Sequence, residues 1–137
     1  AVPILTPHSG EMARLVGLTA DEVNQDRIYI TRQAAIEWGS IIILKGARTV
    51  VAFPDGEVYI NINGNAGMAT GGAGDVLTGV IAALIAQGLS SHEAALAGVY
   101  IHGLAGDIVA RNGMIGIIAS DLIQALPAAI FGIQEKD

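Results

Sequence analysis

The residues best equipped for chemistry are crowded into one run, Gly64-Asn65-Ala66-Gly67-Met68-Ala69-Thr70-Gly71-Gly72-Ala73-Gly74-Asp75. Glycine reaches backbone angles that a Cβ makes costly, so successive N–H groups in such a loop can turn inward as an anion-binding nest. The run passes straight into the apolar, helix-patterned stretch 76–84, whose N-terminus adds partial positive charge at the same point. Asp75 therefore brings a carboxylate beside a cradle suited to phosphate. A base next to an anion hole is the apparatus for moving a phosphoryl group onto a hydroxyl. The same spacing also suits an aspartate that merely caps a helix, and the residues alone leave both readings open. The letters exclude two familiar phosphate loops. No lysine follows the glycines, as a Walker A loop requires, and Leu77 stands where a Gly-x-Gly-x-x-Gly fingerprint needs its last glycine.

Such a loop needs a scaffold, and composition narrows the choice. At 137 residues a single domain is expected. The net charge of −6, with no basic cluster, makes nucleic acid and anionic membranes poor partners. There is no cysteine, which rules out disulfides, thiolate metal sites and thiol nucleophiles. The three histidines are far apart and none forms a His-x-x-x-His pair, so no metal site is expected from the side chains. The uncharged stretch 76–91 is broken by Thr78, Gly79, Gln87 and Gly88 and falls short of the about 20 apolar residues that span a bilayer. With no signal-peptide pattern, a soluble cytoplasmic protein is expected.

The elements follow from periodicity and punctuation. Residues 1–5 read as a strand and 11–16 as a short helix closed by Gly17. Thr19-x-x-Glu22 is a capping box that opens a second helical stretch, and 26–38 continues as a helix ended by Gly39. Ile41-Ile42-Ile43-Leu44 is a run typical of a strand covered on both faces. Residues 49–53 and 57–62 pair around Pro54-Asp55-Gly56, where proline presets one dihedral and glycine takes the positive one. Helices are predicted at about 75–87, 91–110 and 120–131, the second opened by Ser90-x-x-Glu93 and the third by Ser120-Asp121. Alternating strands and helices with one hairpin indicate a layered α/β fold. Only two or three strands look parallel, and the helices are greasier than so small a sheet can cover. This suggests part of a larger fold, or one that completes itself by oligomerising. His102 on an apolar helix, Trp38 at a helix end and Met68 inside the loop read as packing, and Asp107 and Asp121 as helix solvation and capping.

Three further segments stand in order with the glycine run: Thr6-Pro7-His8-Ser9-Gly10-Glu11, Leu44-Lys45-Gly46-Ala47-Arg48-Thr49 and Ala119-Ser120-Asp121-Leu122. Together they closely resemble the bacterial NAD(P)H-hydrate dehydratases of the ribokinase-like superfamily. The resemblance runs end to end and implies that 1–137 is the C-terminal portion of one domain, a three-layer α/β/α sandwich. It implies a repair reaction in which hydrated NADH or NADPH is phosphorylated by ADP or ATP and then loses phosphate to regenerate the dinucleotide. Asp75 would be the catalytic base, and the N–H groups of Ala73, Gly74 and Asp75 the anion hole. His8 and Asp75 would bind the substrate, and Lys45, Gly46, Ala47, Arg48, Thr49 and Gly74 the nucleotide. Lys45, at the C-terminal end of a buried strand, would sit where ligands gather in open α/β sheets. Magnesium is expected with the phosphoryl donor. A homo-oligomer, tetrameric in bacterial relatives, or a separate N-terminal half is expected to complete the molecule. The chain departs from the family's usual pattern at Ser9, commonly Pro, and at Ala73, commonly Ser. The alternatives are a ribokinase-like small-molecule kinase, a nucleotide-binding half without turnover, and a plain α/β domain with a capped helix.

Overall fold

The computed structural model describes residues 1–135. The elements run β1 (Ile4–Leu5), α1 (Ser9–Val16), α2 (Ala20–Gln25), α3 (Arg27–Trp38), β2 (Ile41–Leu44), β3 (Val50–Ala52), β4 (Val58–Ile60), a 3₁₀ turn (Ala66–Met68), α4 (Ala73–Ala86), α5 (Ser91–Ala110) and α6 (Ala119–Glu135). The sheet has the order β1-β2-β3-β4, with β1 parallel to β2 and the other two pairs antiparallel. Among the described residues, parallel pairing is thus confined to two strands. β1 is shorter than the predicted 1–5: Ala1, Val2 and Pro3 are exposed, and proline has no N–H for a ladder, although its carbonyl still accepts from the Ile41 N–H at 2.9 Å.

β2 is the centre of the molecule, and its alternation explains both covering layers. Ile42 and Leu44 pack with Met12, Val23, Ala34 and Ala35 of α1–α3, while Ile41 and Ile43 pack with Leu77, Ile81, Ala95 and Val99 of α4 and α5. Burying each such side chain contributes about 1.5–3 kcal/mol, so a four-residue strand with no exposed face anchors both layers at once. The result is the expected three-layer α/β/α arrangement. α6 lies outside it, packed on α4 and α5 through Leu122, Ala125 and Ala129.

The helix ends were legible. Thr19/Glu22 and Ser90/Glu93 form complete capping boxes, and Gly17 and Gly39 close α1 and α3 at φ of 73° and 59°. The hydrogen bond from the Ser90 backbone is foremost in holding the Glu93 carboxyl below its ordinary value. Ser90→Ala removes the oxygen that accepts from the Glu93 N–H at 3.1 Å. It is expected to cost about 1 kcal/mol, read as a lowered urea midpoint with an unchanged m-value; an unmoved midpoint would show that the cap contributes nothing. α6 departs from the prediction: it starts at Ala119, and Asp121 acts from its third position by accepting from the Ile118 N–H at 3.0 Å.

Candidate active site

β1 and β2 end side by side, and this brings two of the predicted residues together. The Lys45 N–H donates to the Pro7 carbonyl at 2.9 Å, and His8 and Lys45 form a parallel bridge just past the strands. His8 is also the N-cap of α1. Its Nδ1 accepts from the N–H groups of Gly10 at 3.1 Å and Glu11 at 3.2 Å, and the Glu11 carboxylate accepts from the His8 N–H at 2.9 Å. With Nδ1 occupied as an acceptor, the neutral ring carries its proton on Nε2. Capping by an imidazole is unusual, and the sequence signal for it was the glutamate three residues on.

The segment after β2 is shaped from behind by Arg27 of α3. Its Nη2 donates to the carbonyls of Leu44 at 3.1 Å, Lys45 at 3.3 Å and Arg48 at 3.4 Å, and its Nη1 to Ser9 and Asn24. A Cβ on Gly46 would come within 2.7 Å of that Nη2, so the backbone approaches the guanidinium more closely than any other residue allows. Arg27 escaped the sequence reading because an arginine opening a helix looks solvated.

The other wall is the first turn of α4, where Gly72 is the N-cap at φ 88° with no side chain capping it. The Ala73 N–H is engaged with the Thr70 carbonyl at 3.3 Å. Among the described residues, the Gly74 and Asp75 N–H groups have no acceptor in the protein, so the predicted three-amide hole is narrowed to two open donors. Lys45 reaches across to this point: a Cβ on Gly74 would lie 2.7 Å from its Nζ. An ammonium and an open helix N-terminus thus share one spot, a setting that favours an anion.

Two cavities flank that turn. One of about 430 Å³ is lined by His8, Lys45, Gly46, Ala47, Thr49 and Gly74, together with Asn61, Asn63 and His102. The second, of about 540 Å³, is an apolar groove between α4 and α6 with Gly72 and Asp75 at one end. The predicted substrate pair, His8 and Asp75, therefore does not meet in one cavity. Arg48 lines neither and contributes its carbonyl to Arg27. Asn61 and Asn63 were missed. Asn61 accepts from the Tyr59 hydroxyl at 3.1 Å and donates to Asn63 Oδ1 at 2.6 Å, and Asn63 donates to the Tyr100 carbonyl at 3.0 Å. Their signal was the alternation Ile60-Asn61-Ile62-Asn63, which sets both amides on one side of an extended chain.

His102 is the packing histidine expected, with one added duty. Its Nε2 lies 2.9 Å from the Ala73 carbonyl, so this nitrogen donates and fixes the residue that opens α4. Burial pushes its pKa below the usual imidazole value; the Ala73 carbonyl pulls the other way, and Lys45 lowers it again. A depressed histidine means that the unfolded chain binds a proton the folded chain refuses. Its stabilising contribution is complete above about pH 6.5 and is lost as pH falls from there toward the folded value. The thermal midpoint is expected to decline with acidification below about pH 6.5 and to lose much of that slope in His102→Gln. Equal slopes in the two proteins would show that His102 is not the group responsible.

Residues 1–128 match the family model described as NAD(P)H-hydrate dehydratase. The chain belongs to that family. It is 53% identical over 134 residues to the bifunctional NAD(P)H-hydrate repair enzyme of Moorella thermoacetica, covering 97% of this chain and 25% of that protein. It is 46% identical over 124 residues to the ADP-dependent (S)-NAD(P)H-hydrate dehydratase of Neisseria meningitidis, covering 89% and 42%. The Bacillus subtilis ADP/ATP-dependent NAD(P)H-hydrate dehydratase, co-crystallised with ATP/Mg2+, superposes with a TM-score of 0.89 at 36% identity, over 93% of this chain and 47% of that one. A ribokinase-like superfamily protein from Enterococcus faecalis superposes with a TM-score of 0.79 at 38% identity, over 91% and 42%. The architecture is therefore ribokinase-like, and the chain spans a quarter to about half the length of these relatives.

Proposed function

We propose that this chain is the C-terminal portion of a ribokinase-like domain that dehydrates hydrated NADH or NADPH at the expense of ADP or ATP, regenerating the reduced dinucleotide. One observation carries the reading: the first turn of α4 is a common wall, with Lys45 and Gly74 lining one cavity, Asp75 lining the other, and the Gly74 and Asp75 N–H groups without a protein acceptor among the described residues. The donor's terminal phosphate would lie against Lys45 Nζ and the Gly74 and Asp75 N–H groups, with 45–49 along its nucleotide. The family resemblance implies that His8 binds the hydrated dinucleotide; because His8 lines the same cavity as Lys45, that substrate would have to extend past the α4 turn from the Asp75 groove to reach it.

The chemistry then follows. Asp75 takes the proton of the ring hydroxyl while that oxygen attacks the terminal phosphorus, and the bond from phosphorus to the departing nucleotide breaks. The two amides and the ammonium hold the charge that builds on the transferring group. Breakage of the ring C–O bond releases phosphate, and loss of a ring proton restores the double bond. Magnesium, when bound, supplies charge neutralisation on the donor. No Asp or Glu lines the Lys45 cavity, and no cluster of three metal-binding side chains exists among the described residues. The donor set fits an ion carried mainly by the nucleotide's own phosphates and water.

The test supplies hydrated NADH, ADP and magnesium to this chain. Return of the reduced-nicotinamide absorbance with release of free phosphate is expected. An accumulating phosphoester would make the protein a kinase that stops after transfer. A second reading is a nucleotide-binding half that does not turn over alone; the open Gly74 and Asp75 N–H groups beside Lys45 support nucleotide binding in either case. Calorimetric ADP binding without turnover would select it. No helix among the described residues is long and apolar enough to cross a membrane.

A further inference from the structure

We infer that Asp107 is a positioning residue for this site: from α5 it fixes the glycine loop that aims the α4 amides and Asp75. The inference rests on the phosphoryl-transfer reading above for its purpose, but its geometry stands independently. One Asp107 oxygen accepts from the Gly64 N–H at 3.0 Å and the other from the Asn65 amide at 3.0 Å. Asn65 then relays the constraint, its own oxygen accepting from the Gly67 N–H at 3.0 Å. Among the described residues, the other hydrogen bonds between residues 64–72 and the rest of the protein come from the first turn of α4, where the Ala73 and Val76 N–H groups donate to the carbonyls of Thr70 and Gly72; Asp107 is the tie to a different element.

α5 holds the loop at three points. Asp107 ties its start, Gly106 takes the Met68 side chain where any Cβ would collide with it, and His102 binds the Ala73 carbonyl at its end. Residues 102 and 106 are four apart and share a face of the helix, with 107 beside them. Gly64 begins the loop at φ 95°, so its clamped N–H sets the direction of everything that follows.

The chemistry requires a carboxylate. Two donors converge on residue 107, and only a group with two acceptor oxygens satisfies both. Asp107→Asn turns an NH₂ against one of those donors. Combining it with Asn65→Asp repairs the network with its polarity reversed. The new amide's oxygen accepts from Gly64, its NH₂ donates to the new carboxylate at 65, and that carboxylate keeps the Gly67 N–H.

Hydrogen exchange followed by mass spectrometry decides the matter, with ADP calorimetry alongside. Asp107→Asn is expected to speed exchange across 64–74 by about tenfold or more, while β2 keeps its protection and ADP affinity falls. The Asp107→Asn/Asn65→Asp protein is expected to recover both loop protection and ADP affinity. Unchanged loop exchange in the single variant, an equal loss of protection in β2, or no recovery in the double variant would each overturn the proposal. If Asp107→Asn does not fold, the double variant alone decides, by folding with native loop protection or failing to. If the unaltered chain binds no ADP, the nucleotide reading falls, and the exchange pattern still reports on Asp107.

Discussion

Asp75→Asn is expected to lower turnover of hydrated NADH by about 10²–10⁴ while leaving ADP affinity unchanged. The separation of these effects follows from the two cavities. Asp75 lines the apolar groove between α4 and α6, whereas Lys45 and Gly74 line the other cavity beside the same turn. Asparagine keeps the volume, the backbone N–H at position 75 and the third position of α4, and it removes only the capacity to take a proton. Return of reduced-nicotinamide absorbance under saturating ADP reads turnover, and calorimetry reads affinity. Turnover that survives the substitution would remove Asp75 as the base, and an equal collapse of ADP binding would show that its role is to hold the nucleotide.

Much of the scaffold under this site was legible because its determinants are local. β2 is four consecutive β-branched or leucine side chains, and its burial on both faces followed directly. The capping boxes at Thr19 and Ser90 and the turn at Pro54-Asp55-Gly56 are decided within a few residues, and Gly56 has the expected positive φ of 91°. The segments 6–11, 44–49 and 64–75 pointed to the family through their letters. What stayed hidden are groups whose partners lie far along the chain. Asp107 reaches back 43 residues to Gly64, and Arg27 reaches forward 21 to the Arg48 carbonyl. On a helix, each looks like an ordinary solvated charge.

The division of His8 from Asp75 was hidden for a different reason. Both belong to segments that resemble one site, and only the packing of α6 against α4 puts Asp75 at the end of a separate groove. That packing runs through Val76, Leu122 and Leu126, residues with no chemistry to announce them. Side-chain type identifies candidates; the side of α4 on which each lies is a property of the tertiary core.

That same turn makes Lys45 the second large lever. Lys45→Met keeps the apolar stem and removes the charge, and it is expected to weaken ADP binding by about 10–100-fold, the loss of a charge-assisted hydrogen bond to phosphate. Because part of the attraction is Coulombic, the unaltered protein should bind ADP less tightly as salt rises, and the variant should respond less steeply. Gly74→Ala sharpens the test by pulling two observables apart. Gly74 is helical with no positive φ, so alanine suits its backbone and raises helix propensity by about 0.8–1 kcal/mol. The same Cβ comes within 2.7 Å of Lys45 Nζ and must push the ammonium off the amides. A higher thermal midpoint with weaker ADP binding is therefore expected from one methyl group. ADP affinity untouched by both substitutions would mean that the ammonium and the α4 turn do not form the phosphate site, and the nucleotide would have to be sought away from 45–49.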